Sequence, residues 1–262
     1  MDFDKIVKKL SKKPDALLDM EDLCALAAPG ATEPGKKERA AAHKLAYRLT
    51  SSGVLARVRR GLWTVAAAVG PAGKPSAPPD PDAAYWGLLR KAATAVYGRD
   101  WMVGGAKALE LHLRDVSAPA AVRVLCAGPS ATKILLPGHK ARFHAPRGYA
   151  SAPGKTLFSK LRAHAVPTVA EGVKIPVARV ELALLEYLSA PARDRDGHLL
   201  ARALRKFGPS LSRDALGALV SLRYIVALNR LKAAAKSLGF PAVYALCLDV
   251  VKREGRGRFL SS

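Results

Sequence analysis

Acidic side chains are what this chain has too few of. Asp and Glu number 21 against 43 Lys and Arg in 262 residues, a formal net charge of +22. Such an excess repels itself in a compact fold unless an anionic partner is met. From Val116 to Ala170 there is no Asp or Glu at all. Metal-dependent nuclease chemistry needs clustered carboxylates to hold hard cations, and this stretch offers none. A strand-rich core, where acids are scarce anyway, is the plain reading of the gap. The functional reading is a second basic face built from Lys140, Arg142, Arg147, Lys155 and Lys160, and the sequence predicts that face.

Other absences narrow the function further. The three cysteines, Cys24, Cys126 and Cys247, lie far apart in apolar neighbourhoods, which excludes a disulfide framework and predicts buried reduced thiols rather than a metal site. No histidine pairs with another His or Cys at ligand spacing. The start, MDFDKIVKKLSKK, has no signal-peptide core, and the apolar run from Ala215 to Leu228 is broken by Arg223, so a cytoplasmic protein with no membrane span is expected. An acidic membrane surface would suit the charge, but no long Lys-rich amphipathic helix with an aromatic face is present. There is no Gly-rich phosphate loop followed by Lys, and Gly104-Gly105 alone carries little information. Asp194-Arg195-Asp196 reads as a loop, Glu181 and Glu186 fall on different sides of a helix, and nothing flags a Ser–His or Cys–His pair. These patterns predict a binding protein, not an enzyme, and call for no cofactor.

What is present is concentrated between Glu38 and Val65, ERAAAHKLAYRLTSSGVLARVRRGLWTV. Ala42, Leu45, Ala46 and Leu49 recur at i, i+3, i+4 and i+7 and form one apolar stripe of a helix. At 100° per residue the opposite face carries Lys36, Lys37, Ala40, His43, Lys44, Tyr47 and Arg48. Basic residues opposite a stripe are often only a solvated helix face. The following segment changes that balance: Ser51-Ser52-Gly53 ends the helix, Val54 to Arg59 and Leu62 to Val65 are strand-prone, and Gly61 permits a tight turn that would present Arg59 and Arg60. Helix, turn and basic ribbon in that order predict a winged helix-turn-helix, with the helix in the major groove and Arg57, Arg59 and Arg60 on the wing. Double-stranded DNA is the expected partner.

Around this core, Phe3 to Leu10 reads as a short helix. Asp19 reads as the N-cap of a second helix, with Asp22 completing a capping box. The segment from Ala66 to Asp82, with five prolines after Gly70, reads as a semi-extended linker. The expected domains are therefore a winged helix-turn-helix at 1–67, a linker at 68–82 and an α+β domain at 83–262 with a helical C-terminal part. In that second domain Ala83 to Tyr97 reads as a helix with Tyr85, Leu88, Leu89, Ala92 and Val96 inward. A strand at Trp101 to Val103 and a helix at Ala106 to Leu113 follow. Strands are expected at Val122 to Ala127, Lys133 to Leu136, Ala141 to His144 and Val173 to Pro176. Helices are expected at Ala178 to Leu188, Leu199 to Phe207, Arg213 to Leu228 and Lys232 to Leu238, and Ala242 to Val251 is ambiguous.

Three stretches carry a family resemblance: Leu45 to Val65, containing LTSSGVLARVRRGLWTV; WMVGGAKALELHL, Trp101 to Leu113; and IPVARVELALLEYL, Ile175 to Leu188. Together they resemble the AbiEi-type antitoxins of type IV toxin–antitoxin systems, the abortive-infection type of phage defence. The link between the second and third helices is longer than a usual helix-turn-helix turn, and Leu182 stands where a polar residue is expected. The resemblance implies a transcriptional autorepressor that binds DNA at its own promoter, with inverted repeats as the expected operator. It also implies neutralisation of a co-encoded nucleotidyltransferase-like toxin, commonly without a tight complex. A plain winged-helix regulator, an RNA-associated basic protein and a nuclease with an unrecognised site are the alternatives.

Overall fold

The structure, a computed structural model, describes residues 3–12, 16–29, 35–59, 61–65, 81–146, 157–192 and 195–254. It is mixed α+β and divides into two compact units, Met1–Leu89 and Arg90–Ser262. Residues 66–80 of the expected linker lie outside the described residues. Its last two positions, however, are helical: α4 begins at Pro81, where proline's fixed φ suits a first helical turn. The division falls inside α4, between Leu89 and Arg90, rather than in the Pro-rich stretch.

In the first unit the order is α1 (Phe3–Ser11), β1 (Leu17–Asp19), α2 (Met20–Ala27), α3 (Lys36–Ser51), β2 (Leu55–Arg59) and β3 (Leu62–Val65), and then α4 (Pro81–Tyr97) begins. Asp19 caps α2 as the spacing predicts. Its Oδ1 accepts the Glu21 and Asp22 N–H groups at 2.9 and 3.0 Å, while Asp22 Oδ2 accepts the Asp19 N–H at 3.0 Å. The three strands form an antiparallel sheet in the order β1-β3-β2. β1 was not expected from sequence. It makes β3 the central strand, which is why Leu62, Trp63, Thr64 and Val65 are all buried. One core joins Ile6 and Leu10 of α1, Leu23 and Cys24 of α2, the stripe of α3, and Leu55, Trp63 and Val65 of the sheet. The start of α4 belongs to the same unit: a Cβ on Gly87 would meet Leu17 Cδ1 at 2.7 Å, so the Leu17 methyl packs directly on the glycine.

The second unit is built on a six-stranded mixed sheet in the order β6-β7-β5-β4-β9-β8. Its strands are β4 (Trp101–Val103), β5 (Ala121–Cys126), β6 (Ala131–Leu136), β7 (His139–His144), β8 (Ala165–Ala170) and β9 (Val173–Ala178). β5 runs parallel to β7 and β4 parallel to β9, and the other pairs are antiparallel. α5 (Gly105–His112) packs on α7 (Val180–Ser189), and α10 (Ile225–Ser237) packs on α7 and on α11 (Pro241–Arg253). α7 is buried over its whole length from Glu181 to Leu188, as expected for a helix that is apolar almost all round. The remaining helices are α6 (Leu157–Leu161), α8 (Gly197–Phe207) and α9 (Arg213–Leu219).

Several expectations are corrected. Ala178 ends β9 and the helix begins at Val180, because β9 continues pairing with β8 through Ala178. Arg213 to Leu228 is not one helix: a π-turn at Val220–Tyr224 separates α9 from α10, with Arg223 at φ +74°. α10 then absorbs most of the segment expected as a separate helix from Lys232. Ala242 to Val251 is helical, within α11. Val96 points outward at 52% exposed, and Ala93 takes an inward place. β8 was missed.

Candidate nucleic-acid interface

α3 buries Ala42, Leu45, Ala46 and Leu49 against α1, α2 and the sheet, so its opposite face is left to solvent. Lys36, Lys37, His43, Lys44, Tyr47 and Arg48 are all exposed on it. Arg39, which sequence reasoning passed over, is exposed too. Glu38, the one acid on α3, is half-buried. Tyr47 is 75% exposed, although an aromatic ring gains most from burial. Lys44 and Tyr47 lie near the centre of the outward face, whereas Arg48 lies on the flank facing α1 and its guanidinium stacks over the Phe3 ring at 4.6 Å from the centroid. That cation–π contact fixes the side chain while leaving it in solvent.

The helix ends as Ser52 N–H donates to the Arg48 carbonyl at 3.0 Å and Val54 N–H to the Leu49 carbonyl at 2.9 Å. Gly53, at φ +73°, turns the chain into β2. Arg57 is exposed on β2, opposite Trp63 of β3. The ladder is irregular between Arg57 and Arg59, and Gly61 sits at φ +77°, the left-handed conformation that the tip requires. Arg59 lies in β2, but its side chain and all of Arg60 lie outside the described residues.

Of the second basic face, Lys140 and Arg142 are on β7, two residues apart, so they share one side of the sheet. Arg142 is exposed and Lys140 half-buried. Register places Arg123 of β5 directly beside Arg142, adding a cation that the expected set did not include. Lys160 is exposed on α6, a separate element from the β7 pair. Arg147 and Lys155 lie outside the described residues.

Sequence reasoning missed a buried cluster in the second unit. Glu186 of α7 is 3% exposed. It accepts a short hydrogen bond from the Tyr224 hydroxyl and lies 3.1 Å from Arg123 Nε. Burial first, and then the Glu186 carboxylate, push the Tyr224 phenol far above its ordinary range, so it stays a donor. The signal was available: a charged residue inside an otherwise apolar helix must find partners. Glu181, also buried, accepts the Ser212 N–H at 3.0 Å. Among the described residues no three His, Cys, Asp or Glu side chains come together as a metal site would require, and no helix is long and apolar enough to cross a membrane.

No family model matches the chain, and no curated protein sequence matches it. The chain is similar in fold to a solved structure, the RV2827C protein from Mycobacterium tuberculosis, with 20% sequence identity and a TM-score of 0.54 over 94% of this chain and 80% of that one.

Proposed function

We propose that the first unit is a winged helix-turn-helix that reads duplex DNA, and that the protein is a cytosolic transcriptional autorepressor and antitoxin acting against a co-encoded nucleotidyltransferase-like toxin. The observation that carries the DNA reading is the exposed face of α3. It sets cations around an outward tyrosine beside a β-hairpin with an exposed arginine. The order α1-β1-α2-α3-β2-β3 supports this reading, since a winged module follows its helices with a β-hairpin and uses the helix before the hairpin for the major groove. Lys44 and Tyr47 reach base edges, while Lys36, Lys37, Arg57 and the wing arginines grip phosphates. The antitoxin half rests on the family resemblance of the three sequence stretches.

Fluorescence anisotropy of the full chain tests the DNA half, using duplex fragments from upstream of its own reading frame and an RNA hairpin of equal length. The expected outcome is preference for a fragment with dyad symmetry. With roughly four to seven phosphates neutralised by this module, its contribution to the slope of log K against log [salt] is about −4 to −6. Equal or tighter binding to the RNA, whose deep major groove excludes a helix, overturns the DNA reading. The antitoxin half is tested by co-expression with the product of the adjacent reading frame. Failure to relieve toxicity from a nucleotidyltransferase-like neighbour leaves only a regulator.

A further inference from the structure

The second unit contains a cleft of about 660 Å³ between the start of α5, the strands β5 and β7 and the helix α7, lined among others by Gly105, Arg123, Arg142, His144 and Glu186. Its size falls within the range of small-ligand sites. Two guanidinium groups face it from adjacent strands at directly paired positions, Arg123 beside Arg142. Like charges placed opposite one another across a ladder are destabilising, and the carboxylate in the cleft serves only one of them.

That carboxylate is Glu186. Its Oε2 lies 3.1 Å from Arg123 Nε but off the N–H direction, since neither atom makes a hydrogen bond. The contact is therefore Coulombic, and it anchors the base of the guanidinium. The Arg123 guanidinium makes no side-chain hydrogen bond among the described residues, and Glu186 is the one carboxylate paired with it among them. Arg142 is exposed, and no carboxylate pairs with it among the described residues. Lys107 also borders the cleft, but its charge is already met by Glu110 at 2.8 Å and Asp115 at 3.7 Å.

The backbone adds donors. Gly104 caps α5 without a side-chain hydrogen bond, and its own N–H goes to the Arg123 carbonyl at 3.0 Å. The chain enters α5 through Gly105 at φ +61°. The first-turn amides of α5 thus open beside the Arg123 strand. The arrangement is held from below by Tyr224 on Glu186, and Tyr224 is delivered by the π-turn whose Arg223 sits at φ +74°.

We propose that this cleft binds a phosphorylated small molecule of nucleotide size, its phosphate held between Arg123 and Arg142 against the start of α5, with Glu186 as a positioning residue for Arg123. A phosphate supplies the bridging anion that two opposed guanidinium groups lack, and bidentate Arg–phosphate hydrogen bonds are among the stronger polar contacts in proteins. The site is independent of the DNA-binding face on α3.

The test is calorimetric titration of the full chain with AMP, ADP and ATP, and in separate arms with inorganic phosphate and a short oligothymidylate. One nucleotide binds with 1:1 stoichiometry, and Arg142→Gln weakens it by about tenfold or more with the melting temperature unchanged. Lys44→Ala, on α3, leaves nucleotide binding as it was. Arg123→Gln strands a buried carboxylate and can unfold the unit, so Arg142→Gln is the deciding variant. Glu186→Gln, which removes the charge that anchors Arg123, weakens nucleotide binding and Glu186→Asp, which keeps a carboxylate, restores part of it; identical behaviour of the two overturns the positioning role. Absence of binding at millimolar nucleotide, binding indifferent to Arg142→Gln, or binding lost with Lys44→Ala each overturns the site. Oligothymidylate that outcompetes every nucleotide through Arg142 overturns the small-molecule assignment in favour of a nucleic-acid strand.

Discussion

Tyr47 and Leu49 sit two residues apart on one helix and answer to different physics. Leu49 is fully buried in the core of the first unit, so Leu49→Ala is expected to cost about 2–5 kcal/mol through lost transfer energy and the cavity left behind. Tyr47 is 75% exposed, so Tyr47→Ala changes stability by no more than about 0.5 kcal/mol while lowering specific DNA affinity by about 1–3 kcal/mol. Urea denaturation and anisotropy on the same two variants check both statements, and equal DNA losses per unit of destabilisation would refute the division of roles. His164 offers a second residue-level prediction. Burial first, and then the neighbouring Arg179, hold its imidazole below the ordinary value. Because the unfolded chain then takes up the proton more readily, this group's stability contribution is present above its unfolded pKa, about 6.5. That contribution is lost as the pH falls through this value towards the lower folded one. The melting temperature is therefore expected to decline between about pH 7.5 and 5.5, and to decline less in His164→Gln.

At the scale of elements, the break between α9 and α10 is the feature with the sharpest consequence. Arg223 occupies the left-handed region at φ +74°, which costs an ordinary residue roughly 1–2 kcal/mol. Arg223→Gly is expected to stabilise the protein by about 1 kcal/mol. Ala227→Gly, at the third residue of α10, is expected to destabilise it by about the same amount. A thermal melt in which both glycines act with the same sign would show that the π-turn is not strained. Elements defined by a local pattern were legible in the sequence: the stripe of α3, the capping box of α2 and the glycine-tipped hairpin each need only neighbours in the chain. β1 was not legible, because Leu17, Leu18 and Asp19 become a strand only by pairing with Thr64, Trp63 and Leu62. Nor was the true start of α7, since the helical pattern of the sequence runs on through Ala178 while β8 claims that residue for the sheet.

At the scale of the molecule, the charge of +22 makes opposite predictions for the free and bound states. Added salt screens self-repulsion over roughly a Debye length, about 10 Å at 0.1 M, so the melting temperature of the free protein is expected to rise with ionic strength. The affinity for duplex DNA is expected to fall over the same range, and Lys37→Ala to reduce the salt slope by about 1. A melting temperature indifferent to salt would mean that the cations are already paired. For the second basic face, combined Lys140→Ala, Arg142→Ala and Lys160→Ala substitutions are expected to leave operator binding intact while weakening rescue of toxin-arrested cells. Full rescue by the folded triple variant removes that face from the antitoxin role.

The sequence by itself determined the charge balance, the faces of α3, the capping box of α2 and most strands, because net charge and hydrophobic period are properties of contiguous residues. Only the tertiary structure decided which charged side chains lie together. Arg123 meets Arg142 through the parallel pairing of β5 and β7. Glu186 and Tyr224, 38 positions apart, meet through helix packing and a π-turn. Arg48 is drawn to its flank by Phe3 from the far end of the first unit. Contacts of this kind arise from chain reversal and register, which depend on how distant segments bury their apolar faces together, and no local spacing encodes them.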